Sequence, residues 1–168
     1  MIKKLALSTL AAATLATASF ADTYAGAGLA LESVTDLDMG YSLVLNGGQT
    51  MDNIELGEGM LAIEGEFTYS MVAPSLGGYD FSTLSLAGYA AYIYAIDPQL
   101  YIKPRLGLIY RGYEATYGSY SATDSEIGIA YGIGGGYRLN EQMDVFADFT
   151  MLDGTDLTHL TFGVQYHY

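Results

Sequence analysis

The sequence predicts an all-β fold, an eight-stranded antiparallel up-and-down transmembrane β-barrel, on three observations. Apolar and polar residues alternate with period two along eight segments, the pattern of strands with two different faces. Tyrosines recur near the ends of those segments on the apolar face, where a ring can rest in lipid and its hydroxyl can reach water. After the N-terminal leader, no segment approaches the roughly 20 continuous apolar residues of a spanning helix, so insertion requires strands.

The leader comes first. Met1-Ile-Lys-Lys places two positive charges before an apolar run from Leu5 to about Leu15, and Ser19-Phe20-Ala21 supplies small residues for cleavage. Residues 1–21 therefore read as a signal peptide, and the run is too short to cross roughly 30 Å of hydrocarbon. The barrel domain is expected over 22–168, too short for a second globular domain.

Loss of Lys3 and Lys4 leaves Lys103, Arg105, Arg111 and Arg138 against 19 acidic residues, a formal charge of −15. Such acidity excludes nucleic acid, which is gripped by clustered Lys and Arg. Disorder is excluded too, because the chain is 51% apolar and contains 16 tyrosines. Without cysteine it has no disulfide framework and no thiolate metal site.

The eight strands run from about Tyr24 to Ser33, Met39 to Gly48, Gly59 to Met71, Thr83 to Ile96, Leu100 to Tyr113, Ser125 to Leu139, Met143 to Leu152 and Leu157 to Tyr168. Several match the 9 to 11 residues of a tilted membrane strand. An even count brings both termini to one side, expected to be periplasmic. Ile96-Asp97-Pro98-Gln99 and Asn140-Glu141-Gln142 read as short turns on that side. Val72 to Ser82 and Glu114 to Asp124 read as longer extracellular loops. Thr50 to Glu58 is expected as a long connection on the periplasmic side, which departs from that pattern.

Parity assigns the faces. Outward positions include Leu61, Ile63, Phe67, Tyr69 and Met71 on the third strand and Leu84, Leu86, Ala90, Tyr92 and Tyr94 on the fourth. They continue with Leu100, Ile102, Leu106, Leu108 and Tyr110 on the fifth, and Ile127, Ile129, Tyr131, Ile133 and Tyr137 on the sixth. Alternating strand direction gathers Tyr92, Tyr94, Tyr137, Tyr166 and Tyr168 at one rim and Tyr41, Phe67, Tyr69 and Tyr110 at the other, as two aromatic girdles. Tyr24 has inward parity. A soluble β-sandwich accounts for alternation but not for both girdles and the leader.

Opposite parity turns Glu32, Glu64, Glu66, Glu126, Asp144 and Asp148 inward together with Lys103, Arg105, Arg111 and Arg138, a lumen ionic network. A Lys or Arg facing lipid at midplane costs about 2–4 kcal/mol, which favours this placement. Inward Gly128, Gly132, Gly134 and Gly136 leave room for Lys103 and Arg105 to cross toward Asp148, Glu64 and Glu66. Arg138 and Asp144 are expected as cross-strand partners around the Asn140 turn. Because eight strands enclose a lumen that side chains can fill, these charges read as a plug, with a narrow conduit as the other reading. The run Gly132-Ile-Gly134-Gly-Gly136 lacks the spacing and following helix of a phosphate-binding loop.

The last strand alternates most strictly: Leu160, Phe162, Val164, Tyr166 and Tyr168 share the outward face, and Thr161, Gly163, Gln165 and His167 the other. With the leader, the inward charges, Glu64-Gly65-Glu66-Phe67 and Ile127 to Tyr137, the chain resembles the small OmpA-like and OmpX-like outer-membrane β-barrel family, with its porin-like β-barrel domain, over its whole mature length. The resemblance implies a monomeric outer-membrane protein whose partners are lipid and lipopolysaccharide, with Leu160 to Tyr168 addressing the barrel-assembly machinery. It implies no cofactor and no catalysis. Members include membrane-stabilising proteins, small pores and adhesins, so a structural role, a low-conductance channel and surface binding through loops all stand.

Some such barrels are lipid A deacylases with a His-x-Ser pattern and an acid. Here the corresponding residues are His159-Leu160-Thr161, with Asp153 and Asp156 nearby, and both side chains carry inward parity, against an enzyme. Asp36, Asp38, Asp80, Glu114, Asp124, Asp153 and Asp156 form a solvated acidic rim without the spacing of a dedicated calcium site. The tyrosine-rich segment Tyr113 to Tyr120 offers a weak adhesive surface. Intact-mass measurement of protein purified from membranes is expected to show a chain starting at Asp22; retention of Met1 refutes cleavage.

Overall fold

A backbone amide in hydrocarbon has no water to bond, so a membrane sheet must pair every strand on both sides. The computed structural model, which describes residues 23–33, 39–73, 75–76, 79–117, 120–153 and 157–168, meets this requirement by closing. The expected leader, Asp36, Asp38 and Asp156 lie outside those residues.

Eight long strands form the wall: β1 Thr23–Ser33, β2 Gly40–Leu56, β3 Gly59–Val72, β4 Tyr79–Ala95, β5 Leu100–Tyr117, β6 Tyr120–Arg138, β7 Met143–Leu152 and β8 Thr158–His167. A two-residue strand, Ser75–Leu76, pairs with the start of β4. Each strand pairs antiparallel with the next, and β1 pairs with β8 from Tyr24↔His167 to Ser33↔Thr158. The Tyr168 amide donates to the Thr23 carbonyl at 2.9 Å, fastening the end of the barrel that carries both strand termini, here the near end.

Near-end turns are tight for local reasons. Asp97 Oδ1 accepts the Gln99 and Leu100 amides at 2.7 Å each, and Asn140 Oδ1 accepts the Gln142 amide at 2.9 Å. These are Asx turns, in which a short side chain replaces a backbone acceptor. The expected long connection from Thr50 to Glu58 is corrected. β2 continues to Leu56, absorbs residues 52–54 in a bulge between Met51↔Leu61 and Glu55↔Met60, and turns at Gly57 with φ 69°. The polar Asp-Asn interruption breaks the alternation without ending the ladder.

The two expected far-end loops are corrected likewise. β4 starts at Tyr79, while β5 and β6 stay paired to Tyr117↔Tyr120, so Glu114 to Asp124 is a hairpin extension. Alternation reports contact with lipid on one side, and it lapses where a ladder leaves lipid.

The sheet is apolar outside and charged inside. Ile127 is 76% exposed and Leu108 63%, whereas Lys103 is 1% and Asp148 0% exposed. Large aromatics inside this narrow barrel are seated over glycines directly across the ladder. Tyr24 faces Gly48, Tyr101 faces Gly136 and Phe146 faces Gly163, and a Cβ on any of these three glycines would strike the opposing ring. Gly134 similarly leaves the place taken by the Asp148 carboxylate. The inward glycines of β6 therefore accommodate Tyr101 and Asp148, which in turn line the space that Lys103 crosses. Gly136→Ala is expected to destabilise the barrel by about 1–3 kcal/mol through overpacking. The same change in a Tyr101→Ala background should cost much less, a coupling that a double-mutant cycle on heat-unfolding in detergent measures.

Candidate functional site: the charged lumen

Parity turns the polar and charged side chains of the wall into the lumen among small and apolar ones, and the register stacks them in three layers. The central one joins alternate strands. From β5, Lys103 Nζ lies 2.6 Å from Glu64 Oε1 on β3 and 3.7 Å from Asp148 Oδ2 on β7. Arg105 Nη1 lies 2.8 Å from Glu66 Oε2 and 3.4 Å from Asp148 Oδ2, and its Nη2 donates to Thr150 Oγ1 at 2.5 Å. Tyr24 on β1 donates its hydroxyl to Glu64. Tyr89 donates to Glu66 at 3.4 Å, and its ring lies 4.4 Å from the Arg105 guanidinium carbon.

Strands β3 and β7 stand on opposite walls of an eight-strand ring, so Lys103 and Arg105 tie those walls together across the lumen. Glu64, Glu66, Lys103, Arg105 and Asp148 are each at most 5% exposed. Ions so removed from water hold together only through close partners, since desolvation costs several kcal/mol per ion.

Toward the far end, Glu32 is fully buried and held mainly by hydroxyls. Ser42 donates to it, Thr83 Oγ1 lies 3.2 and 3.3 Å from its two oxygens, and His159 Nε2 lies 3.8 Å from Oε1. Arg111 pairs with Glu126, which is half-buried. Toward the near end, Tyr101 donates to Gln165 Oε1 at 3.2 Å. His167 Nε2 meets Asp144 Oδ2 at 3.0 Å.

The expected Arg138–Asp144 partnership is corrected. The two face each other in the ladder, but Asp144 takes His167 instead, and Arg138 lies 6.0 Å from the Tyr101 ring. Among the described residues no ion pair joins them. Below the central layer a cavity of about 490 Å³ opens at the near end, lined by Tyr101, Lys103, Arg138, Asp144, Gln165 and His167 among others.

The structure thus brings Lys103, Arg105, Glu64, Glu66 and Asp148 together, sets Arg111 with Glu126, and leaves Glu32, Asp144 and Arg138 in separate surroundings. The sequence reading missed the hydroxyls of Tyr24, Ser42, Thr83, Tyr89 and Thr150 as partners. Inward parity was the available signal. On the last strand Phe162, Val164, Tyr166 and Tyr168 face outward and exposed, Leu160 is half-buried, and the rings of Tyr166 and Tyr168 meet edge-on at 5.2 Å. Three or more His or acidic side chains do not converge into a metal site among the described residues.

The family model for the outer membrane protein beta-barrel domain matches residues 4–168. The chain belongs to that family. Membership places it among bacterial outer-membrane barrels. Solved structures agree in fold. Ail, the attachment invasion locus protein of Yersinia pestis, is similar with a TM-score of 0.63 at 14% identity, over 88% of this chain and 99% of that one. The N-terminal β-barrel domain of Pseudomonas aeruginosa OprF gives 0.61 at 11%, over 88% and 98%. Neisserial surface protein A gives 0.57 at 16%, over 87% and 94%. At these identities the likeness concerns the fold. Comparison with curated proteins finds no match.

Arg105→Ala leaves Glu66 and Asp148 buried against an empty site and is expected to cost about 3–5 kcal/mol. Unfolding of the detergent-solubilised barrel, followed by heat-modified gel mobility, should move to lower temperature; an unchanged transition refutes a packed ionic core.

Proposed function

We propose that this outer-membrane barrel is a non-catalytic structural element of the envelope with a lumen closed by its own side chains. The observation that carries the reading is the bridging of opposite walls by Lys103 and Arg105. A layer held by several charge-assisted bonds resists the rearrangement that passage of a solute would demand. The near end is periplasmic in this reading, since its turns are short while the opposite hairpins are extended. Exposed Phe162, Val164, Tyr166 and Tyr168 serve assembly of the barrel, and the acidic far rim, including Asp124 and Asp153, stands solvated.

A low-conductance channel is the second reading, favoured by the near-end cavity, which brings solvent space to Lys103. Planar-bilayer recording of the refolded protein distinguishes the two. The structural reading expects no current steps from the wild type. Reproducible steps whose size changes in Arg105→Ala establish conduction through the lumen and displace it.

A further inference from the structure

The cavity at the near end has two unlike sides. Met60 on β3 and Ile93 on β4 make one of them apolar. The other, built from β5 to β8, carries Tyr101, Arg138, Asp144, Gln165 and His167, and Lys103 stands at its inner end, where the central ionic layer begins. A volume of about 490 Å³ falls in the range of small-molecule sites, which combine an apolar lining with a few converging polar groups.

Two donors on the polar side are left over from the fold. Gln165 is 3% exposed, and the Tyr101 hydroxyl, 3.2 Å from its Oε1, fixes the amide with that oxygen accepting and Nε2 left to donate. Among the described residues the buried Nε2 has no acceptor. A buried donor in that position is costly unless something accepts from it. Arg138 is the second. Its ladder partner Asp144 is engaged by His167, and its guanidinium carbon lies 6.0 Å from the centre of the Tyr101 ring without an ion pair among the described residues.

Charge decides what fits. Lys103 is already balanced by Glu64 and Asp148, and Asp144 is 1% exposed and held by His167, which leaves Arg138 as the uncompensated charge of the polar side. A guanidinium matches the planar fork of a carboxylate. Asp144 and Glu141, both in the lining, oppose a second negative charge.

We propose that the near-end cavity binds a small monocarboxylate with an apolar body, its carboxylate received by Arg138 and the Gln165 amide and its body lying against Met60 and Ile93. The site belongs to the near end alone, so it goes beyond the structural role and holds whether or not the central layer conducts.

The test titrates fluorophenylacetate, read by fluorine NMR, into the full barrel folded in nanodiscs of zwitterionic lipid at neutral pH. Saturable binding is expected. Fluorophenylacetamide keeps the shape and the carbonyl but not the charge, and fluorophenylmalonate adds a second carboxylate; each should bind about tenfold more weakly or worse. Arg138→Gln should weaken fluorophenylacetate by a similar factor. Ile93→Trp fills the apolar side without altering a charge and should abolish binding. Heat-modified gel mobility reports that each variant is folded, and the comparison of probes on the wild-type barrel needs neither variant. Equal affinity for the amide reduces the effect to apolar partition and overturns the proposal, as does equal affinity for the dicarboxylate. Binding unaltered in either folded variant puts the probe elsewhere and overturns it too. Absence of saturable binding overturns it outright.

Discussion

Everything in this structure follows from the need to satisfy backbone hydrogen bonds where water is absent. Helices solve the problem within one segment, but this sequence has no segment long and apolar enough among those described. The remaining solution is a sheet with no edge in lipid. Closure inverts the usual distribution of residues: aliphatic side chains such as Ile127 and Leu108 lie outside, and Lys103, Glu32 and Asp148 lie within. The small circumference then forces charges into contact, and it forces rings such as Tyr101 and Phe146 over glycines.

The buried charges also bear on register. A slip of one residue between two strands would exchange their faces, carrying Lys103 or Glu64 into hydrocarbon and Leu106 or Ile63 into the lumen. For every charged side chain so displaced the cost reaches about 2–4 kcal/mol at midplane. The net gain in stability from the ionic layer is modest once desolvation is counted, because buried pairs recover little more than they lose. Its larger effect is to penalise wrong pairings. Three carboxylates against two cations in the central layer still leave an imbalance, moderated by the Tyr24 and Tyr89 hydroxyls.

Much of this architecture is legible in the sequence. The parity of Glu64, Glu66, Lys103, Arg105 and Asp148 is written in the alternation, because lipid tolerates only one of the two faces. The seventh strand was bounded at the residues observed, Met143 and Leu152. What alternation does not encode is the reach of a ladder outside lipid, where both faces meet water. Hence the β5–β6 extension through Glu114 and Asp124, and the β2 bulge at residues 52–54, read as loops. Nor does parity choose among partners within one layer. Arg138 faces Asp144 in the ladder, but the His167 ring reaches that carboxylate from β8, a contact that depends on ring position.

The seam between β1 and β8 pairs residues from opposite ends of the described chain, Tyr24 with His167 and Ser33 with Thr158. No shorter piece of the sequence can close the ring. Any nascent or truncated chain that lacks β8 would present two bare sheet edges to the bilayer, a state with unsatisfied amides along the flanks of β1 and β7. Stable residence in the membrane therefore acts as a check on completeness. Closure by β8 decides whether the earlier strands are retained, and contacts of such long sequence separation make that closure slow relative to the pairing of neighbouring hairpins.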